Sequence, residues 1–249
     1  MINFFRKIRK KMADDNKPMK YIRYAIGEIL LVVIGILIAL QVNTWNENRK
    51  SKNTEVLLLD ELISNLEADI YSINYDFNTH TEALESCNRI LRTLDENKEY
   101  NDSFSIDISH TNCYSVFKYN QGAYQSLKSI GIETISDRKL ISQIVDLYDH
   151  WYEIYAENQR ILTEDILNFK RNYYNRVFNK FQVFKIEDDE FKYGGEMIPL
   201  NFDSLKNDGE FKYIILSLKE SHEQLLYLNK FIANMIESLK KEILIGTDS

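Results

Sequence analysis

Glycine and proline are scarce, at 8 and 2 of 249 residues. Sandwiches, barrels and propellers need turn residues about every 8–12 positions, so this scarcity excludes an all-β fold, along with collagen-like and linker-like chains. Cysteine is scarcer still, with Cys87 and Cys113 the only two. An excess of positive charge is missing as well. The 31 Lys and Arg against 38 Asp and Glu leave a net charge of −7, which argues against nucleic acid as a partner. The H-E-x-x-H, P-loop, Rossmann glycine, G-x-S-x-G and paired Glu-x-x-His patterns are all absent. No catalytic residue, metal ligand or cofactor is assigned, and the chain is expected not to be an enzyme.

Hydrophobic residues make up 44% and aromatics 12% of the chain, too many for disorder. The charge is unevenly spread. Residues 1–43 carry eight basic and three acidic groups, net +5, and the remainder is net −12. Within the basic part, Tyr24–Leu40 reads YAIGEILLVVIGILIAL, with Glu28 its only charge and Val42 extending it. About 20 apolar residues cross a hydrocarbon core, so residues 18–44 are expected to form one transmembrane helix. A cleaved signal peptide is the rival, but Leu37 stands where a small residue would precede a cut after Ala39. The reading is a retained signal anchor.

Eight basic residues precede the span, so the positive-inside rule places residues 1–17 in the cytoplasm and residues 45–249 across the inner membrane, in a periplasm. Ile2, Phe5, Ile8 and Met12 share a helical face in the tail. Phe5, Arg6, Lys7, Arg9, Lys10 and Lys11 are therefore expected to bind the anionic membrane surface as a basic amphipathic helix. The plainer alternative is a basic tail that only sets topology.

Glu28 is costly inside a bilayer and normally faces protein or water. At 100° per residue, Glu28, Gly35, Ala39 and Asn46 lie within about 20° of one line. Gly35-x-x-x-Ala39 lets another helix approach closely, so Glu28, Gly35 and Ala39 form a candidate intramembrane interface. Glu28 is read as protonated and hydrogen-bonded in an oligomer, as snorkelling to the headgroups, or as exchanging an ion or proton during work.

Beyond the span, Leu59, Leu66, Ile70, Ile73, Phe77, His80, Leu84, Cys87, Leu91 and Leu94 recur at heptad spacing, predicting a helix over about 53–96. It is allowed to be continuous with the span. Residues 97–112 read as a loop. A short helix over 123–130 ends at Gly131, a usual C-cap residue. Ser136 is expected to cap a helix reaching about Phe181, with a seam that includes Leu140, Ile144, Tyr148, Trp151, Tyr155, Leu162, Ile166, Phe169 and Tyr173. After a connection with Gly194, Gly195 and Pro199, the last helix over about 210–243 has its seam at Ile215, Leu218, His222, Leu225, Asn229, Ile232, Ile236, Leu239 and Ile243.

The expected fold class is all-α: one transmembrane helix, then an elongated antiparallel bundle of three long helices plus one short. His80 and His222 fall in seams and read as hydrogen-bonded core residues, with pH sensing the alternative. Asp146 with His150 reads as a surface pair rather than a metal site, and Asp107-x-x-His110 sits in a loop with no obvious third ligand. Cys87 reads as a small core hydrophobe rather than half of a disulfide. The aromatics of the third long helix read as core rather than as a ligand pocket.

The run KYIRYAIGEILLVVIGILIALQVNTWNENRK at residues 20–50, after MINFFRKIRKKM, resembles an uncharacterised single-span membrane family abundant in Bacteroidota. Its hallmark is a Y-A-I-G-E-I span followed by N-x-W-N-E. Gly122-Ala123-Tyr124 and the Ser129–Asp137 segment (SIGIETISD) carry the resemblance more weakly. It implies an envelope location and a helical extramembrane domain, and no activity.

The function expected is a non-enzymatic single-pass inner-membrane protein whose bundle mediates assembly or partner binding in the envelope. Its partners are the lipid bilayer and a second copy or another membrane protein. One alternative is an ion-coupled, stator-like or channel-associated subunit using Glu28 with a polytopic partner. The other is a ligand sensor signalling through another protein.

Overall fold

Between Gly35 and Asp95 the sequence offers neither glycine nor proline to break a helix, and the computed structural model has none broken there. Helix α1 is a single element, Pro18–Asp95, of 78 residues. It stops where Asn97 takes a left-handed φ of 51° and Lys98 donates back to the Thr93 carbonyl at 3.0 Å. The structure describes residues 18–114, 117–187, 190–193 and 195–247. The tail residues Phe5, Arg6, Lys7, Arg9, Lys10 and Lys11 lie outside these.

Two compact units divide the chain, Met1–Glu55 and Val56–Ser249. In the first, the side chains of the apolar run are exposed on every side, Leu31 at 70% and Ile38 at 59%. A helix apolar all round is stable only when something other than water surrounds it. By length and composition this segment, with a mean hydropathy of 2.6 over its most apolar window, is able to cross a membrane.

In the second unit the elements after α1 are α2 (Asp102–Thr111), α3 (Gly122–Ile130), α4 (Arg138–Asp146), α5 (Tyr152–Phe169), α6 (Phe202–Lys206) and α7 (Gly209–Thr247). A wide π-type turn, Leu147–Trp151, joins α4 to α5, and a second, Lys170–Tyr174, leads to a last turn at Asn175–Val177. Helix α2 occupies the stretch read as a loop, because Asn101 caps it by accepting from the Phe104 N–H at 3.0 Å and Phe104 and Ile108 are buried. Asp137, rather than Ser136, caps α4, accepting from Lys139 N–H at 2.8 Å. The third long helix ends at Val177 and not near Phe181. From there Phe178–Phe181 (β1) pairs antiparallel with Met197–Pro199 (β4), and Phe184–Glu187 (β2) with Glu190–Tyr193 (β3). The protein is thus mostly helical with a few short strands.

The long helices do not simply alternate in direction. Asp69 of α1 meets Tyr152, and Asp76 meets Tyr155 and Gln159, so α1 and the α4–α5 helix run parallel. Helix α7 opposes both, with Lys212 on Asp95 and Lys240 on Glu67. The parallel pair is possible because residues 96–114 and 117–122 run back along α1. Asp107 meets Arg89, His110 meets Glu82 and Asn120 meets Asp69. This return segment replaces the antiparallel partner expected there.

All nine seam residues expected on α7 are buried to 2% exposure or less. On α1 the buried residues Leu59, Leu62, Leu66, Asp69, Ile73, Asp76, His80, Ala83, Cys87 and Ile90 alternate spacings of 3 and 4, with Leu58, Ser86 and the expected Leu91 buried beside them. Of the expected seam, Ile70, Phe77, Leu84 and Leu94 only flank it. On α4–α5, Tyr152 faces the core in place of Trp151. The shift is confined to the π turn, for Tyr155, Leu162 and Ile166 are buried as expected beyond it.

Candidate functional site

Two carboxylates one heptad apart give the α1 seam an unusual chemistry. Asp69 is fully buried and Asp76 is 4% exposed. A carboxylate held there must have its lone pairs filled by donors. Asp69 Oδ1 accepts from the Asn120 backbone N–H at 2.9 Å and side-chain amide at 2.8 Å, and Oδ2 from the Tyr152 hydroxyl at 2.9 Å. Burial nonetheless pushes its carboxyl above the usual range, with the three donors pulling the other way.

Asp76 Oδ2 accepts from Gln159 Nε2 at 2.9 Å and from the Tyr155 hydroxyl at 3.2 Å. Tyr155 in turn accepts from Asn229 Nδ2 of α7 at 2.8 Å, and Gln159 Oε1 accepts from the Phe117 N–H at 2.7 Å. One heptad position later, His80 Nδ1 lies 3.0 Å from His222 Nδ1, and His222 Nε2 lies 3.1 Å from the Thr111 carbonyl. The column Asp69–Asp76–His80 therefore ties α1 to α5, α7 and the end of α2 in one register. A slip of one heptad would set a carboxylate against apolar seam residues.

Around it the rings pack as core. Tyr124 stacks on Tyr148 at 4.5 Å, and Phe117 meets Tyr152 edge-on at 5.4 Å. Tyr148, Tyr152 and Tyr155 are all 1% exposed or less, so they line the interior and no open pocket. The described part holds one half-open cleft of about 270 Å³, lined among others by Tyr114, Ile166, Lys170 and Phe181. Lys170 lies over the Phe181 ring at 4.5 Å.

The sequence placed His80 and His222 on seams, and the structure brings them together. It missed Asp69 and Asp76, because a search for apolar periodicity passes over acids. Asp146 accepts from the Trp151 indole at 3.0 Å, while His150 is exposed. Asp107 is buried and takes two hydrogen bonds from Arg89, at 2.9 and 2.7 Å, while His110 lies against Glu82. Cys87 and Cys113 are buried and free, and burial pushes the Cys87 thiol up to about 12. Among the described residues no group of three or more His, Cys, Asp or Glu is placed to hold a metal.

In the apolar unit, Glu28 is half-buried, and Gly35 and Ala39 are exposed on the helix. Space is open around Gly35 out to 4 Å from where a Cβ would stand. Farther along, Arg49 stacks on Trp45 with its guanidinium carbon 5.5 Å from the ring centre.

Residues 28–200 match the model of DUF6090, a family of unknown function. The chain belongs to that family. The DUF6090 match begins at Glu28, takes in Asn43–Glu47, the buried carboxylates and the SIGIETISD segment, and ends just before α6 and α7. No curated protein and no solved structure matches the chain.

Proposed function

We propose that this DUF6090 protein is a non-enzymatic, single-pass inner-membrane protein whose helical domain mediates assembly or partner binding in the cell envelope. The observation that carries the reading is the contrast between its two parts. The apolar helix leaves every face of residues 29–42 exposed, which calls for lipid or another helix. The bundle instead fills lone pairs of its two buried carboxylates with its own donors and keeps Tyr148, Tyr152 and Tyr155 inside, as a packed core does.

In this reading residues 1–17 lie in the cytoplasm, residues 18–44 cross the membrane, and residues 45–249 form a periplasmic domain. Glu28, Gly35 and Ala39 make the contact inside the bilayer, with a second copy or another membrane protein.

Full-length protein carrying Gly35→Leu and Ala39→Leu tests the contact on blue-native gels in mild detergent. Loss of the oligomeric band, with Glu28→Gln retaining it, supports the reading. An oligomer indifferent to the leucines refutes the intramembrane interface. A Glu28→Gln protein that assembles normally yet fails to complement a deletion strain favours the ion-coupled alternative.

A further inference from the structure

The two histidines that close the polar column hold fixed and opposite proton assignments. Thr111 offers only a carbonyl, so His222 Nε2 must donate to it across 3.1 Å. The neutral His222 ring then has a bare lone pair at Nδ1, which accepts the proton of His80 Nδ1 across 3.0 Å. His80 is left with its lone pair at Nε2, and that nitrogen is buried with no partner among the described residues. Both rings are fully buried. The relay runs from α1 through α7 to the last residue of α2, so three helices meet on it.

We propose that the His80–His222–Thr111 relay is a two-proton joint, closed when both rings are neutral and released when the second proton arrives. A first proton has one place to go, His80 Nε2, where it meets no acceptor. A second must take the His222 Nδ1 lone pair, which breaks the ring-to-ring bond and sets two cations about 3 Å apart. The closed joint therefore holds one added proton at most, while an opened, hydrated pair holds two. The inference concerns the bundle alone and stands whether or not the assembly reading does.

Nearby charge does not relieve this. On α1, Asp76 is taken up by Tyr155 and Gln159, Glu82 by His110, and Cys87 is an apolar thiol. On α2 and its exit stand Asp107, bound to Arg89, and the buried Cys113. On α7, Lys219 pairs with Glu223 at 3.8 Å. On the α5 side stand the hydroxyls of Tyr155 and Tyr174. Burial lowers both rings, His80 to about 3 and His222 to about 4.

The sign follows from these directions. The opened state binds protons below the ordinary histidine value near 6.5, and the closed state binds them only well below that, so closure is complete above pH 6.5 and weakens as pH falls. With two histidines the opening constant rises about 50-fold from pH 6 to pH 5, against roughly 7-fold for one.

Hydrogen exchange of the full-length protein in detergent micelles reads this constant at the amides flanking His80 and His222, corrected for intrinsic rates. His80→Asn keeps a donor toward His222 Nδ1 but removes one titrating ring, and is expected to cut the rise to about 7-fold. His150→Gln, at an exposed site, is expected to leave it unchanged. A wild-type rise no larger than that of His80→Asn overturns the joint. If His80→Asn does not fold, ring NMR of the wild-type protein decides. Rings of His80 and His222 still neutral at pH 5.5 uphold the joint, and a buried pair already protonated there overturns it.

Discussion

Tyr152→Phe removes one hydroxyl from the bundle, and the structure sets how much that matters. The hydroxyl donates to Asp69 Oδ2 at 2.9 Å in a site where both residues are fully buried. A hydrogen bond to a charged acceptor contributes about 1.5–3 kcal/mol. Asp69 keeps its two Asn120 donors, so Tyr152→Phe is expected to cost about 1–2 kcal/mol. Asp69→Asn puts an amide N–H where the acceptor stood; it can donate to the Tyr152 oxygen but leaves the buried hydroxyl proton without an acceptor, which costs about 1–3 kcal/mol. Relief of the burial that raises the Asp69 carboxyl offsets part of this.

In the double variant no orphaned hydroxyl proton remains, so its loss should fall short of the sum by about 1 kcal/mol or more. Thermal melts of the full-length protein in mild detergent, followed by circular dichroism, measure this, at about 2–4 °C per kcal/mol for a unit of this size. Losses that add to within about 0.3 kcal/mol would show that the two residues do not act on each other.

Ile73→Ala, at a 1% exposed seam position, should cost about 2–5 kcal/mol, whereas Leu57→Ala at 69% exposure should stay within about 0.5 kcal/mol in the same melts. Gly195→Ala should destabilise the β1–β4 pairing, since an added Cβ would fall on the Gln182 backbone carbonyl; slower proteolysis there than in wild type would contradict this. Gly131→Ala places a side chain at a φ of 117°, a strain of about 1–3 kcal/mol. Cys87 and Cys113, buried and with thiols raised by burial, should resist maleimide at pH 7.5 until denaturant is added. Prompt labelling of either in the folded protein would refute their burial.

Periodicity carried the reading of this chain where the core is apolar and failed where it is not. The α7 seam is nearly all Ile and Leu, and its two polar members, His222 and Asn229, fall in phase. On α1 the alternate seam positions hold Asp69, Asp76 and Ala83, so apolar counting drifted to the flanking Ile70, Phe77 and Leu84. Their partners, Asn120, Tyr152, Tyr155 and Gln159, make acids acceptable inside, and those lie far along the chain. On α4–α5 the expected seam holds except at Trp151 and Phe169, which are half-buried at or beside the two π turns, and a π turn leaves no mark on composition. The parallel course of α1 and α4–α5 depends on the return of residues 96–114 and 117–122, whose capped helix α2 hides in a polar stretch. Of the candidate site, the meeting of His80 with His222 was legible as two seam histidines, but the heptad count alone does not pair them.

The central claim is that the apolar helix and the bundle serve assembly in the envelope. Native mass spectrometry of the full-length protein, extracted gently from its own membranes, tests it most directly. The account predicts a homo-oligomer or a fixed complex with another membrane protein. A bare monomer at every detergent concentration would contradict it.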